Sequence, residues 1–378
     1  MKKIYFDNAA TTPVFDEVVN LMCETMKNTY GNPSSTHHFG RNAKALIELS
    51  RKEIAKNLHC QTSELVFTSG GTEALSLILT NAVRHLGIKH IVSSKIEHHA
   101  VLKTIQFLEK QGTSVSYVNV LNDGTLDYHH LEELLIQNPA KTLISLMHVN
   151  NEIGTILNLK KVIGFKNKYK ALFHTDTTQS VGHFHMDLSE MDIDFITASA
   201  HKFHGPKGVG FAYFKKGTAI QPLILGGEQE RGARAGTENI AAIVGMSKAL
   251  QICCQNLEQD LKHLKEIKKY FIRSITSKIP TVKFNGMSAN TNQSSHTIVN
   301  VLFPKNLSML LFQLDLKGIA VSGGSACQSG SQKGSHVLQE ILEIKAQEKT
   351  SIRFSFSKLN TFEEVDFVVN ELNHLIKH

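Results

Sequence analysis

Cysteine is scarce in this 378-residue chain: five residues, at positions 23, 60, 253, 254 and 327, with no Cys-x-x-Cys among them. An odd count without that spacing argues against a disulfide framework and against a structural zinc site. Charge is not concentrated either. Lys and Arg total 41 against 34 Asp and Glu, a net charge of +7, but the excess is spread along the chain. No basic run is interleaved with aromatics, so no direct nucleic-acid partner is expected. Long hydrophobic runs are missing too. No segment has the length and apolarity of a membrane span, and the start, Met1-Lys-Lys-Ile-Tyr-Phe-Asp-Asn8, has no apolar signal core. The expectation is a soluble, cytoplasmic protein that meets no membrane. Histidine is abundant, at 20, and includes His37-His38 and His183-x-His185. No acidic or cysteine ligand accompanies them at a zinc-like spacing, so no metal is expected.

What is present is alternation. With 41% hydrophobic residues the chain can bury a large core. The runs Leu65–Thr68, Ile91–Ser94, Val115–Val118, Leu143–Met147, Ala171–His174, Asp194–Thr197 and Val209–Phe214 read as strands. Helical patterns, including 73–86 and 99–111, lie between them. This predicts an α/β fold with a mostly parallel seven-stranded sheet flanked by helices. Ligands of such sheets sit beyond the carboxyl ends of the strands. The texture changes near residue 255. Leu257, Leu261, Leu264, Ile267, Phe271, Ile275 and Ile279 mark one face of a long helix. Val365, Val368, Val369, Leu372, Leu375 and Ile376 mark another. The expected organisation is a large domain over 15–255 and a smaller α+β domain from 1–14 and 256–378, with a Gly/Ser segment at about 322–335.

The chemistry falls at the ends of the apolar runs. Lys202 ends Phe195-Ile-Thr-Ala-Ser-Ala-His-Lys202, and Asp176 ends another run. A lysine that bonds an aldehyde and an acid that pairs with a pyridinium nitrogen are the two groups required by pyridoxal 5'-phosphate (PLP). Lys207, in Gly205-Pro-Lys-Gly208, is the rival lysine, in a turn expected to face water. Phe67-Thr-Ser-Gly-Gly-Thr-Glu73 joins a strand to a helix and reads as a phosphate cradle. Glu97-His98 offers an imidazole to stack on a flat ring, and Asn150-Asn-Glu-Ile-Gly154 offers a side-chain amide. Cys327 lies in Ser322-Gly-Gly-Ser-Ala-Cys-Gln-Ser-Gly-Ser331, which lacks apolar periodicity and reads as a mobile loop with a reachable thiol. Cys253-Cys254 reads as core. Arg353 can fork onto a carboxylate.

Taken in order these segments resemble a cysteine desulfurase of group I (NifS/IscS-like), in the class V aminotransferase family of fold-type I PLP enzymes. The resemblance runs nearly end to end. It includes Tyr5-Phe-Asp-Asn-Ala-Ala-Thr-Thr12, Gly31-Asn-Pro-Ser-Ser35, Glu97-His98, Asp176-x-x-Gln179, Ser199-x-His-Lys202, Arg234-x-Gly-Thr237, Gly324-Ser-Ala-Cys327 and Ile352-Arg-Phe-Ser355. The resemblance implies that Lys202 holds PLP and moves protons, that His98 stacks on the ring, and that Asp176 pairs with the ring nitrogen. Gln179 and Asn151 would contact the phenolic oxygen. Gly71, Thr72, Ser199 and His201 would bind phosphate, joined by Thr237 from the second subunit of a homodimer. Asn32 and Arg353 would orient L-cysteine. Cys327 would take its sulfur as a persulfide and pass it to an acceptor protein, such as an iron–sulfur scaffold or a sulfur carrier. The chain departs from the family pattern at Gly71 (often Ala), Gly323 (often Ser), Gln229 (often His) and Gln328-Ser329 after the nucleophile. None of these removes a catalytic group. A class V aminotransferase, a selenocysteine lyase and a non-catalytic docking module are the alternative readings.

Overall fold

The computed structural model describes residues 3–138, 141–323 and 334–377. After a two-residue strand, β1 (Ile4–Tyr5), the main sheet is built from β2 (Leu65–Thr68), β3 (His90–Ser94), β4 (Ser114–Val118), β5 (Thr142–Ser145), β6 (Leu172–Asp176), β7 (Phe195–Ser199) and β8 (Gly210–Phe214). Their order is β2-β8-β7-β6-β5-β3-β4. β8 runs antiparallel to both neighbours, and every other pairing is parallel. The architecture is the α/β one expected, and each expected strand lies within two residues of an observed one.

These runs become strands because both faces of the sheet are covered. Successive side chains point to opposite sides. Phe67, Val92, Ile144, Phe173 and Ile196 therefore join one core, while Val66, Ile91, Leu143 and Phe195 join another. Helices Gly71–Arg84 and His99–Lys110 close the second face through Leu75, Ile78, Val101 and Ile105. Helices His38–Asn57, Leu159–Tyr169 and Ile240–Gln255 close the first through Ile47, Ile54, Val162 and Leu250. Each such Leu or Ile contributes about 1.5–3 kcal/mol of transfer free energy. Strand ends are where sequence and structure differ. β6 runs on to Asp176 and β7 to Ser199, because these polar residues still pair in the ladder, Asp176 with Thr197 and Ser199 with Gly210.

β9 (Lys283–Phe284), β10 (Ile298–Leu302), β11 (Ile319–Ala320) and β12 (Ser351–Ser355) complete the strands. β9, β10 and β12 form an antiparallel sheet in the order β12-β10-β9, and β11 pairs with β1. A third apolar cluster sits here. It joins Leu264, Ile267, Phe271 and Ile275 of helix Leu257–Lys278 to Val365, Val368, Val369 and Leu372 of helix Phe362–Lys377. Leu257 and Leu261 instead line a small cavity with His183, His204 and His296. The first turn of that helix lies against the loops that follow β6 and β7. Cys23, Cys60, Cys253 and Cys254 are free thiols; Cys253 is buried and Cys254 half-buried. Among the described residues no single helix is long and apolar enough to cross a membrane.

Burial also dictates how the fold responds to acid. It holds the imidazoles of His148, His174 and His204 down at about 4, and that of His296 at about 3. An unfolded histidine titrates at about 6.5. Between these values the unfolded chain takes up protons that the folded chain refuses, so stability falls as pH drops from about 6.5 toward 4. Urea unfolding midpoints measured across that interval are expected to decline steadily. A flat profile would contradict the neutral, buried state of these rings.

Candidate active site

Five parallel strands, β2, β3, β5, β6 and β7, deliver their carboxyl ends to the same edge of the sheet, and residues just beyond each line one cavity of about 290 Å³. Gly71 and Thr72 follow β2 and begin helix Gly71–Arg84. Gly70 caps that helix at φ 152° with no side-chain hydrogen bond. The first N–H groups of a helix lack intrahelical acceptors, and the helix dipole favours an anion there. A Cβ on Gly71 would stand 3.2 Å from Thr178 Oγ1, so glycine keeps this corner open. His98 follows β3 and caps helix His99–Lys110, its Nδ1 accepting the Ala100 N–H at 3.1 Å. That bond leaves the ring proton on Nε2. Asn151 and Glu152 follow β5. Asp176 and Gln179 lie at the end of β6, and Ser199, His201 and Lys202 at the end of β7.

The chain's N-terminal segment closes the floor. Lys202 Nζ donates to the Ala9 and Ala10 carbonyls at 2.6 and 2.8 Å, and Gln179 Nε2 donates to Ala9 O at 2.9 Å. Asp176 is buried, with one carboxylate oxygen accepting the Thr178 N–H at 2.9 Å and the Thr197 hydroxyl at 3.1 Å. Burial pushes His98 below the usual imidazole range; Asp176 opposes the shift, while Lys202 and His336 add to it. The ring is therefore a neutral base at physiological pH. Arg353 is almost fully buried and uses its fork, Nη1 to the Asn151 carbonyl and Nη2 to Asp7, each at 2.8 Å. Asp7 also accepts the Ser322 hydroxyl at 2.8 Å. Buried Glu152 accepts the Ser335 hydroxyl, and His336 Nε2 donates to the Glu97 carbonyl at 2.9 Å. Burial raises the Glu152 carboxyl above its ordinary value.

Ten of the residues singled out in the sequence share this cavity: Gly71, Thr72, His98, Asn151, Asp176, Gln179, Ser199, His201, Lys202 and Arg353. The structure also separates the two candidate amides. Asn150 is buried and turned into the fold, donating to Ile96 O and accepting from the Glu152 and Ile153 N–H groups. Lys207 is exposed. Asn32 and Thr237 are not brought in: both are exposed, and neither lines this cavity. Cys327 lies outside the described residues. The residues on either side of its segment, Ser322 and Ser335, are tied to the cavity wall through Asp7 and Glu152.

Residues 4–368 match the family model of the aminotransferase class-V family. The chain belongs to the class-V aminotransferase family. Within that family it stands with the cysteine desulfurases. It is 41% identical to cysteine desulfurase IscS of Dictyoglomus turgidum, over 100% of this chain and 95% of that protein. A solved NifS-like protein shares its fold with a TM-score of 0.91 at 34% identity, covering 100% of both chains. The structure of SspA in complex with cysteine matches with a TM-score of 0.80 at 31% identity, over 95% of this chain and 100% of that one.

In this class-V family member, sequence reasoning had not singled out Asp7, Glu97, Glu152 or His336 as part of the site. Each carboxylate sits beside or inside a segment already singled out, and an acid within an apolar or amide run was the available signal. Glu97 is the most unusual. It is buried, and one oxygen accepts the Met147 N–H at 2.9 Å and the Ser94 hydroxyl at 3.1 Å. Burial pushes its carboxyl up to about 8, with Asp176 adding to the shift. The folded state thus holds a proton that the unfolded state loses near pH 4.5. Stability from this group is full below that value and falls as pH rises toward 8. Glu97→Gln keeps both acceptor bonds and is expected to remove that slope, gaining on the wild type between pH 5 and 8 in denaturant titrations. Glu97→Ala leaves the two donors orphaned and is expected to cost about 2 kcal/mol at pH 5.

Proposed function

We propose that this protein is a PLP-dependent cysteine desulfurase. It takes sulfur from L-cysteine, carries it as a persulfide on Cys327, and releases L-alanine. The observation that carries this reading is the meeting of Lys202, Asp176 and His98 with an open helix N-terminus in one cavity, whose wall anchors both flanks of the Cys327 segment. Cys327 is four positions on from Gly323, and an extended chain of that length spans at most about 14 Å.

The residues fit the cofactor. Gly71 and Thr72, with Ser199 and His201, would hold its phosphate at the helix N-terminus. Asp176 would pair with the ring nitrogen, and Gln179 and Asn151 would reach the phenolic oxygen. Lys202 would anchor the aldehyde, and His98 would cover the ring. When bound, PLP supplies an electron sink that acidifies the substrate α-carbon. The protein's own groups do the rest. The Lys202 amine takes the α-proton and returns protons to the carbon skeleton. Arg353, with N–H directions left beyond Asp7 and Asn151, orients the substrate carboxylate. The Cys327 thiolate attacks the substrate sulfur. The S–S bond forms as the bond to the β-carbon breaks, and the three-carbon remainder is protonated and leaves as alanine. His98 would take the proton that Cys327 must lose by releasing the Ala100 N–H from Nδ1, the ring nitrogen that carries the lone pair.

The exposure of Thr237, away from its own cavity, supports a homodimer in which each chain offers Thr237 to the other's phosphate. The persulfide then passes to an acceptor protein, an iron–sulfur scaffold or a sulfur carrier, in the cytoplasm. The test is product analysis. Purified protein is expected to be yellow and to form alanine and, with a reductant, sulfide from L-cysteine. Mass spectrometry should find one extra sulfur on Cys327. Cys327→Ala should stay yellow while alanine formation falls on the order of a thousandfold, and Lys202→Ala should lose both turnover and the bound-aldehyde absorbance. Normal turnover by Cys327→Ala would overturn the reading.

A further inference from the structure

The segment from 228 to 237 is built more rigidly than an exposed loop requires. Arg51 and Glu230 are both buried and form a two-pronged ion pair, with both N···O distances 2.8 Å. Glu230 also accepts the Phe67 N–H at 2.8 Å, and Arg51 donates to Leu65 O at 3.1 Å while its guanidinium lies 4.3 Å from the Phe67 ring centre. The brace is thus anchored on β2, the strand that leads into the Gly70-Gly71 corner. Glu230 and Arg231 adopt left-handed backbone angles, φ 48° and 58°, which non-glycine residues hold only under constraint. Farther along, Arg234 pairs with Glu73 at 2.9 Å, and Glu73 accepts the Ser69 N–H at 2.8 Å. Yet the product of all this fixing is Thr237, which is exposed and lines a separate cleft of about 130 Å³ rather than the cavity of its own chain. Beside it, Ala235 N donates to Ile224 O, and Leu223, Ile224 and Leu225 stand exposed, Leu225 at 83%. An apolar run left bare next to a rigid segment marks a face that another surface covers.

We propose that Glu230 is a positioning residue that acts in trans: locked by Arg51, it sets the segment that presents Thr237 to the phosphate site of a second copy of this chain. The inference rests on the dimeric desulfurase reading above. A buried guanidinium–carboxylate pair adds little net stability, but it fixes geometry, since losing one partner strands the other. Here the fixed geometry relates each chain's own phosphate corner to the hydroxyl that it offers outward. Glu230 itself touches neither substrate nor cofactor.

Chains carrying Lys202→Ala and chains carrying Glu230→Gln, each with its own tag, are co-expressed, and mixed dimers are isolated through both tags. Each parent homodimer is expected to be impaired, the Glu230→Gln dimer by about tenfold or more with weaker PLP retention on dialysis. A mixed dimer has one site that combines an intact Lys202 from one chain with a properly presented Thr237 from the other. It is therefore expected to recover about half of wild-type turnover and to retain about one PLP per dimer. If Glu230→Gln is insoluble, Arg51→Met with Glu230→Gln removes both charges together while leaving Phe67 an acceptor. Mixed dimers as inactive as their parents would mean that Glu230 serves its own chain's site, and the inference falls. Wild-type activity in the Glu230→Gln homodimer would also defeat it. Lys202→Ala mixed with Thr237→Ala separates the two layers. Activity in that mixture alone overturns the role of Glu230 and leaves the function intact. Failure of both mixtures, with wild-type turnover normal, overturns the trans placement of Thr237. Absence of any mixed dimer overturns the dimer reading together with the inference.

Discussion

The peptide that carries Lys202 is held from three directions, and the site depends on that grip. The Thr12 N–H and hydroxyl both bond the His201 carbonyl, at 2.9 and 3.0 Å, and the Thr12 hydroxyl accepts the His204 N–H at 2.7 Å. His183 Nε2 donates to the Lys202 carbonyl at 2.8 Å, and the Cys253 thiol points at the Phe203 carbonyl. Each bond contributes only about 1 kcal/mol. Together they join the N-terminal segment, the loop after β6 and the helix Ile240–Gln255 around one turn. A lysine at the end of a β-strand is otherwise free to swing, and here its backbone is not.

Around this anchor the walls are chemically quiet. Burial keeps His98, His148, His174 and His201 neutral and Glu97 protonated. A cavity with few fixed charges lets Asp176 and Arg353 act in a medium of low dielectric, where their fields are strong. Neutral imidazoles also remain available as proton acceptors, which a cationic cluster would not allow.

Rigidity and reach are divided between parts of the chain. The side of the cavity that holds Lys202, Asp176 and His98 rests on strand ends and helix caps, which are stiff. The Arg51–Glu230 pair braces the segment around Glu230 against β2. On the other side, Arg353 of β12 exchanges backbone hydrogen bonds with Ser322, while Ser335 is tied to Glu152. The residues flanking the segment of Cys327 are thus registered to Arg353 on one side and to the cavity wall on the other.

Much of this was legible in the linear order of residues. Apolar runs ending in Gly71-Thr72, His98, Asn151, Asp176 and Lys202 follow from a parallel sheet covered on both faces, because such strands must be continuously apolar and their polar residues can appear only where the sheet ends. Asn150 and Glu97 needed three dimensions. The strand before Lys202 and the Gly-Pro turn around Lys207 already told the two lysines apart, and the structure agrees, whereas adjacent asparagines differ only in which way a turn directs them. Thr237 and Asn32 carry matching motifs yet stand outside the cavity, since a motif records chemistry and not position. Sequence determined the kinds of groups and the ends of the strands at which they appear, since periodicity and composition are local. Tertiary structure alone decided which groups are desolvated, paired and mutually oriented, because those properties depend on neighbours hundreds of residues away.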